Sequence, residues 1–175
     1  MKRLKIKFCL LTLMVVVLSS CAKKESITEP KNGMTINGAF HPFETLWIHD
    51  ENMDNNVASD IGFRFFNISD SEIQSGVEKT GVTQLYFDIL DTSLKQKMYS
   101  EVLDYKLEVN GKLENLKYTN GTVLLFDEDL KLHASSTTVS IEKISGDQIE
   151  LNFSFVRKDG QTYSGYYKGK FVKRD

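Results

Sequence analysis

The chain has 175 residues, 22 of them basic and 24 acidic, for a net charge of −2 with histidine neutral. That balance lacks the concentrated positive surface which nucleic acid or anionic lipid requires, and argues against both as partners. With 41% hydrophobic and 11% aromatic side chains, the composition is that of a globular protein and not of a disordered one.

Met1 to Lys7 carry four cations (Lys2, Arg3, Lys5, Lys7) and no acid, and Phe8 to Leu18 is apolar except for Thr12. Leu18-Ser19-Ser20-Cys21 follows. Charged head, short apolar middle and small residues are the order of an export signal over residues 1–20. The apolar run falls short of the roughly 20 residues that cross a bilayer, and the ending is not the Ala-x-Ala of an ordinary cleaved signal. Leu18-Ser19-Ser20-Cys21 resembles the lipobox of bacterial lipoproteins. The resemblance implies that Cys21 becomes the new N-terminus and carries diacylglycerol and an N-linked acyl chain such as palmitate. Ala22 stands where, in some bacterial lipoproteins, an aspartate favours inner-membrane retention, so the expected location is the outer membrane, on either its periplasmic or its cell-surface face.

Removing the signal changes both charge and cysteine content. The four cations leave with it, so 18 of the 22 basic side chains remain against 24 acids, a net charge of −6. Cys9 is discarded and Cys21 is lipidated, so the domain itself has no cysteine. Neither a disulfide nor a thiolate metal site is available to it.

Residues 21–33 read as the lipidated cysteine and a flexible polar tether, with Pro30 and a closing Asn32-Gly33. Residues 34–175 read as one all-β domain. Met34 to Phe40 suggests a first strand and Glu44 to His49 a second, with Leu46 and Ile48 on one face and Thr45 and Trp47 on the other. Asp50 to Asn56 is a polar loop. Ile61 to Ile68 is a third strand, Ser69 to Gly81 a loop, and Val82 to Leu90 a strand rich in branched and aromatic residues. Leu94, Met98 and Val102, with Tyr99 and Leu103 alongside, form an apolar stripe that fits a short helix over 94–103. Ser93 and Gln96 fit its capping box; a strand-and-turn stretch is the other reading. Asn110-Gly111 has the chemistry of a tight hairpin turn after Lys106 to Val109, and Asn120-Gly121 precedes a strand from Thr122 to Phe126. The chain then ends in a meander. Thr137, Val139 and Ile141 share a face, as do Ile149, Leu151, Phe153 and Phe155, and finally Tyr163, Tyr167 and Phe171, with turns at Ser145-Gly146-Asp147 and Lys158-Asp159-Gly160. Such two-sided alternation belongs to antiparallel sheets with one wet face. It fits a β-sandwich, or alternatively a lipocalin-like β-barrel.

The segment from Ser136 to Phe171 (STTVSIEKISGDQIELNFSFVRKDGQTYSGYYKGKF) resembles the end of small Bacteroidetes lipoproteins, in which TVSIEK leads through a Gly-Asp turn to IELNFSF and a DG turn leads to YSGYYKGKF. The resemblance covers about the last quarter of the chain well. It implies an all-β domain anchored in the envelope and carries no catalytic or binding residues with it.

Catalytic motifs are missing: His41, His49 and His133 have no metal-ligand spacing, and neither a Gly-x-Ser-x-Gly elbow nor SxxK occurs in the required context. Asp50, Glu51 and Asp54 supply the hard oxygens calcium prefers. They lack the ordered spacing of a calcium loop, and no cofactor is expected. Trp47, Tyr163, Tyr166 and Tyr167 are candidates for an aromatic platform that stacks on sugar or peptide, against the plainer reading that they fill the core. The expected function is a lipid-anchored, non-catalytic binding or assembly module with a protein or glycan partner in the envelope. The alternatives are a carrier of a small apolar ligand inside a barrel and a hydrolase with a site assembled from scattered residues. Cys21→Ser is expected to abolish labelling by palmitate and to leave unprocessed precursor; labelling that persists in the variant would contradict the lipobox reading.

Overall fold

In the computed structural model, which describes residues 30–50 and 57–174, the alternation is realised as strands with one short helix. In chain order these are β1 (Gly33–Ile36), β2 (Ala39–Pro42), β3 (Thr45–Asp50), β4 (Ser59–Phe66), α1 (Asp70–Gln74), β5 (Lys79–Asp91), β6 (Met98–Tyr99), β7 (Leu103–Glu114), β8 (Lys117–Thr119), β9 (Thr122–Phe126), β10 (Ala134–Ser145), β11 (Gln148–Arg157), β12 (Thr162–Lys170) and β13 (Val172–Arg174). Cys21 and the first part of the tether lie outside the described residues. The fold reaches further toward the N-terminus than the tether's expected end at Gly33. Asn32 already exchanges two hydrogen bonds with the Lys168 backbone, at 2.8 and 3.1 Å.

The strands form two sheets. The first runs β2-β1-β12-β11-β10-β6, and the second runs β13-β3-β4-β5-β7-β8 with β9 also on β7. All pairings are antiparallel except β13 on β3. Neither sheet closes on itself, so the architecture is the sandwich and not the lipocalin-like barrel. The chain passes from one sheet to the other at Phe43, between β2 and β3, and at Phe171, between β12 and β13. Both rings are buried, and both backbone N–H groups are satisfied, on Asn32 and Asp147.

Between the sheets the alternation places Leu46 and Ile48 of β3, Ile61, Phe63 and Phe65 of β4, Leu85 and Phe87 of β5, and Leu151, Phe153 and Phe155 of β11 in one core. Its centre is a chain of rings. Phe43 lies 5.1 Å from Phe65, Phe65 5.4 Å from Phe153, Phe63 5.0 Å from Phe87, and Phe87 5.8 Å from Phe155. Such contacts add to the hydrophobic stabilisation from burial alone. Among the described residues these rings pack against one another across the space between the two sheets. Gly165 makes the packing possible. It points inward on β12, and a Cβ there would fall 2.2 Å from Phe153 Cζ.

Three local expectations need correction. The stripe over 94–103 is not a helix. Asp91, buried at the end of β5, gathers Lys95, Lys97 and Tyr99, and this draws the segment into a bend that leads to β6. Tyr99 and Val102 are buried while Met98 is 65% exposed, so the residues do not share a face. The helix lies instead in the stretch expected to be a loop. Ser69 caps α1 and forms a reciprocal capping box with Glu72, the chemistry expected at Ser93 and Gln96.

The third correction concerns Asn-Gly. Asn110-Gly111 is not a hairpin turn, because β7 runs straight through it with a register shift. Asn110 takes a positive φ of 56°, and the Tyr118 ring lies where a Gly111 Cβ would be, 2.1 Å from Tyr118 Cζ. The turn after β7 is Asn115-Leu116, both with positive φ. Asn37-Gly38, read within a single first strand, is the tight hairpin between β1 and β2, with Ile36 opposite Ala39.

Because Gly165 and Phe153 leave no slack, Gly165→Ala is expected to overpack the core and cost about 1–3 kcal/mol. Urea denaturation measures this, and an unchanged midpoint would contradict the packing described.

Candidate functional site

The wet face of the second sheet is not a plain solvated surface. Phe66 of β4 and Val82 of β5 point outward and are buried by Ile73 of α1 and Leu113 of β7, with Trp47 and Tyr118 packed around them. This second, smaller core clamps α1 on the outer face. Beside it the same face sinks into a cavity of about 440 Å³, lined by Trp47, His49, Asp60, Gly62, Arg64, Gln74, Tyr86, Asp88, Leu116 and Arg174. That volume is within the range of small-molecule sites.

The register builds the cavity. One row across the sheet runs Arg174–His49–Gly62–Asp88, and the next runs Val172–Trp47–Arg64–Tyr86. Side chains at these positions stand on one face because each lies directly across from the next. Gly62 has no side chain, so the floor between the two rows stays open. A Cβ there would lie 2.9 Å from Asp88 Oδ1.

One carboxylate fixes the wall. Asp70, at the start of α1, accepts hydrogen bonds on Oδ1 from Trp47 Nε1 and from Arg174 Nη2, both at 2.7 Å. Arg174 also stacks on Trp47, with Cζ 4.4 Å from the ring centroid, and His49 Nδ1 lies 2.9 Å from the Arg174 carbonyl. Across the floor, the Arg64 guanidinium lies 5.1 Å from the Tyr86 ring centroid, and Tyr86 donates to Asp88 Oδ2 at 2.5 Å. Burial pushes the Tyr86 phenol well above its ordinary value, and the acceptor Asp88 pushes it further. In this geometry the Tyr86 hydroxyl is committed to Asp88 as a hydrogen-bond donor. On the rim, Leu116 holds a positive φ of 63°, a conformation costly for a bulky side chain. The adjoining N–H of Asn115 donates to Gly76 O at 3.2 Å and ties that turn to the end of α1.

The expected site residues separate. Tyr163 and Tyr167 are buried between the sheets. Tyr166 lies on the outer face of the first sheet and donates to Glu150 at 2.7 Å, while Trp47 lies on the outer face of the second. The four rings form no single platform, and of them only Trp47 lines the cavity. Of the expected metal ligands, Asp50 is exposed at the end of β3, and Glu51 and Asp54 lie outside the described residues. Among the described residues the acids that do meet are Asp60, Asp88 and Asp104, with one carboxylate oxygen of each within 4.8 Å of the others.

Sequence reasoning missed Asp60, Gly62, Arg64, Tyr86, Asp88 and Arg174 as a group. Their only signal was position on the polar side of β4, β5 and β13, which any solvated face would share. Comparison with known proteins returns no match: no family model, no curated protein and no solved structure is similar to the chain.

The capping box of α1 is sensitive to acid. The hydrogen bond from Lys79, followed by those from the Ser69 backbone and hydroxyl, lowers the Glu72 carboxyl from 4.5 to about 2. A depressed folded value means that Glu72 stabilises the fold fully above pH 4.5 and loses that contribution as pH falls through about 2. The stability difference between wild type and Glu72→Gln should therefore be largest near neutrality and shrink from pH 4.5 downward. A pH-independent difference in urea midpoint would contradict the assignment.

Proposed function

We propose that the protein is a lipid-anchored, non-catalytic binding module of the bacterial cell envelope. Cys21 holds it at the outer membrane, and the cavity on the outer face of the second sheet engages its ligand or partner. The observation that carries this reading is the cavity itself, where an aromatic wall, two guanidiniums and several carboxylates converge on a rigid sheet. Sites built on regular elements hold their geometry better than sites on loops. The protonated Tyr86 and the paired Asp70 behave as positioning and donor groups, as a binding site requires. A glycan or an envelope protein that presents polar and charged groups is the partner class that suits such a lining.

In-cell photo-crosslinking tests this. A crosslinker at Gln74, on the cavity rim, is expected to capture an envelope component that the same probe at Asn152, on the outer face of the first sheet, does not. Equal capture at both positions, or capture at Asn152 alone, would contradict the cavity as the engaging surface.

A further inference from the structure

The charges in the cavity are sorted by sign. β4 sets Asp60, Gly62 and Arg64 along one line, two residues apart and on one face. At about 3.4 Å per residue the Asp60 and Arg64 Cα atoms are about 13–14 Å apart, with the bare Gly62 between them. Among the described residues neither Asp60 nor Arg64 makes a side-chain hydrogen bond or an ion pair. Asp60 is grouped with two more carboxylates, Asp88 and Asp104. Arg64 sits directly across from Trp47, on which the second guanidinium, Arg174, is stacked. Arg174 uses Nη2 for Asp70, while its buried Nε has no hydrogen-bond partner. One end of the cavity thus gathers the carboxylates, while the other holds Arg64 beside an Arg174 whose charge Asp70 offsets, and Gly62 keeps Arg64 and Asp60 apart.

A simple anion bound here would face three carboxylates, and a simple cation would leave the Arg64 guanidinium without a counter-charge. A single amino acid carries both charges on one carbon and cannot reach both ends. Two extended residues span about 7 Å, which suits the separation once side chains reach in from either end. We propose that the cavity binds an elongated zwitterion of about dipeptide size. Its ammonium faces Asp60, Asp88 and Asp104, and its carboxylate meets Arg64. This rests on the cavity being the ligand site.

The protein has one tryptophan, Trp47, and it lines the cavity, so its fluorescence reports on occupancy. The purified full-length chain in detergent is titrated with dialanine, N-acetyl-dialanine, dialanine amide and glucuronate, with calorimetry alongside. Dialanine should shift Trp47 emission saturably, and capping either terminus should weaken binding about tenfold or more. Arg64→Gln should remove the preference for the free carboxylate alone, and Asp60→Asn the preference for the free ammonium alone, both with unchanged urea midpoints. Equal binding of the capped and free peptides overturns the proposal, as does the absence of any signal. Saturable binding of glucuronate without dialanine overturns the zwitterion assignment but leaves the cavity a ligand site, whereas failure of capture at Gln74 removes the site itself.

Discussion

A single carboxylate oxygen, Asp70 Oδ1, joins three pieces of chain that are distant in sequence. It belongs to the first turn of α1, accepts from Trp47 on β3, and accepts from Arg174 on β13. Without it the start of the short helix would lose its tie to β3 and β13, leaving the Ile73 contact, the Lys79–Glu72 pair and the Asn115–Gly76 bond to hold α1. The terminal strand, which pairs with the sheet in parallel and over only three residues, would lose its ion pair. Asp70 and Arg174 are both partly exposed, so the pair contributes little to global stability. Its effect is positional: it holds the indole, the guanidinium and the helix as one wall.

That wall matters because of a constraint at the centre of the molecule. The domain has no cysteine and must close its two sheets by packing alone. Phe43, Phe63, Phe65, Phe87, Phe153 and Phe155 do this by filling the space where a barrel would keep a chamber. The cavity lies instead on an outer face. On the second sheet α1 breaks the flatness of the outer face: the small core under Ile73 raises one side, and Gly62 lowers the floor beside it.

Much of the architecture was legible because burial imposes a period of two. The inward sets on β3, β4, β11 and β12 follow directly from the sequence. The errors arose where a local signal competed with a tertiary one. Leu94, Met98 and Val102 keep helical spacing, but the buried Asp91 draws Lys95, Lys97 and Tyr99 together. Asn-Gly was informative about positive φ at residues 37, 110 and 120. It does not distinguish a reversal from an irregularity in a continuing strand, since that depends on which strand lies alongside. The cavity was the least legible part. Asp60, Arg64, Tyr86 and Asp88 look like any polar face until the register sets them side by side, and Asp70 and Arg174, 104 residues apart, have no common pattern.

The claim that Asp70 organises the cavity wall is tested most directly at the indole N–H of Trp47, which gives a single resonance in an amide-correlated NMR spectrum. A proton held by Asp70 should exchange slowly with solvent in the wild-type protein and become fast in Asp70→Ala, with the core amides unchanged. An indole proton that already exchanges at the rate of a free one, or that is unaffected by removing Asp70, would contradict the account.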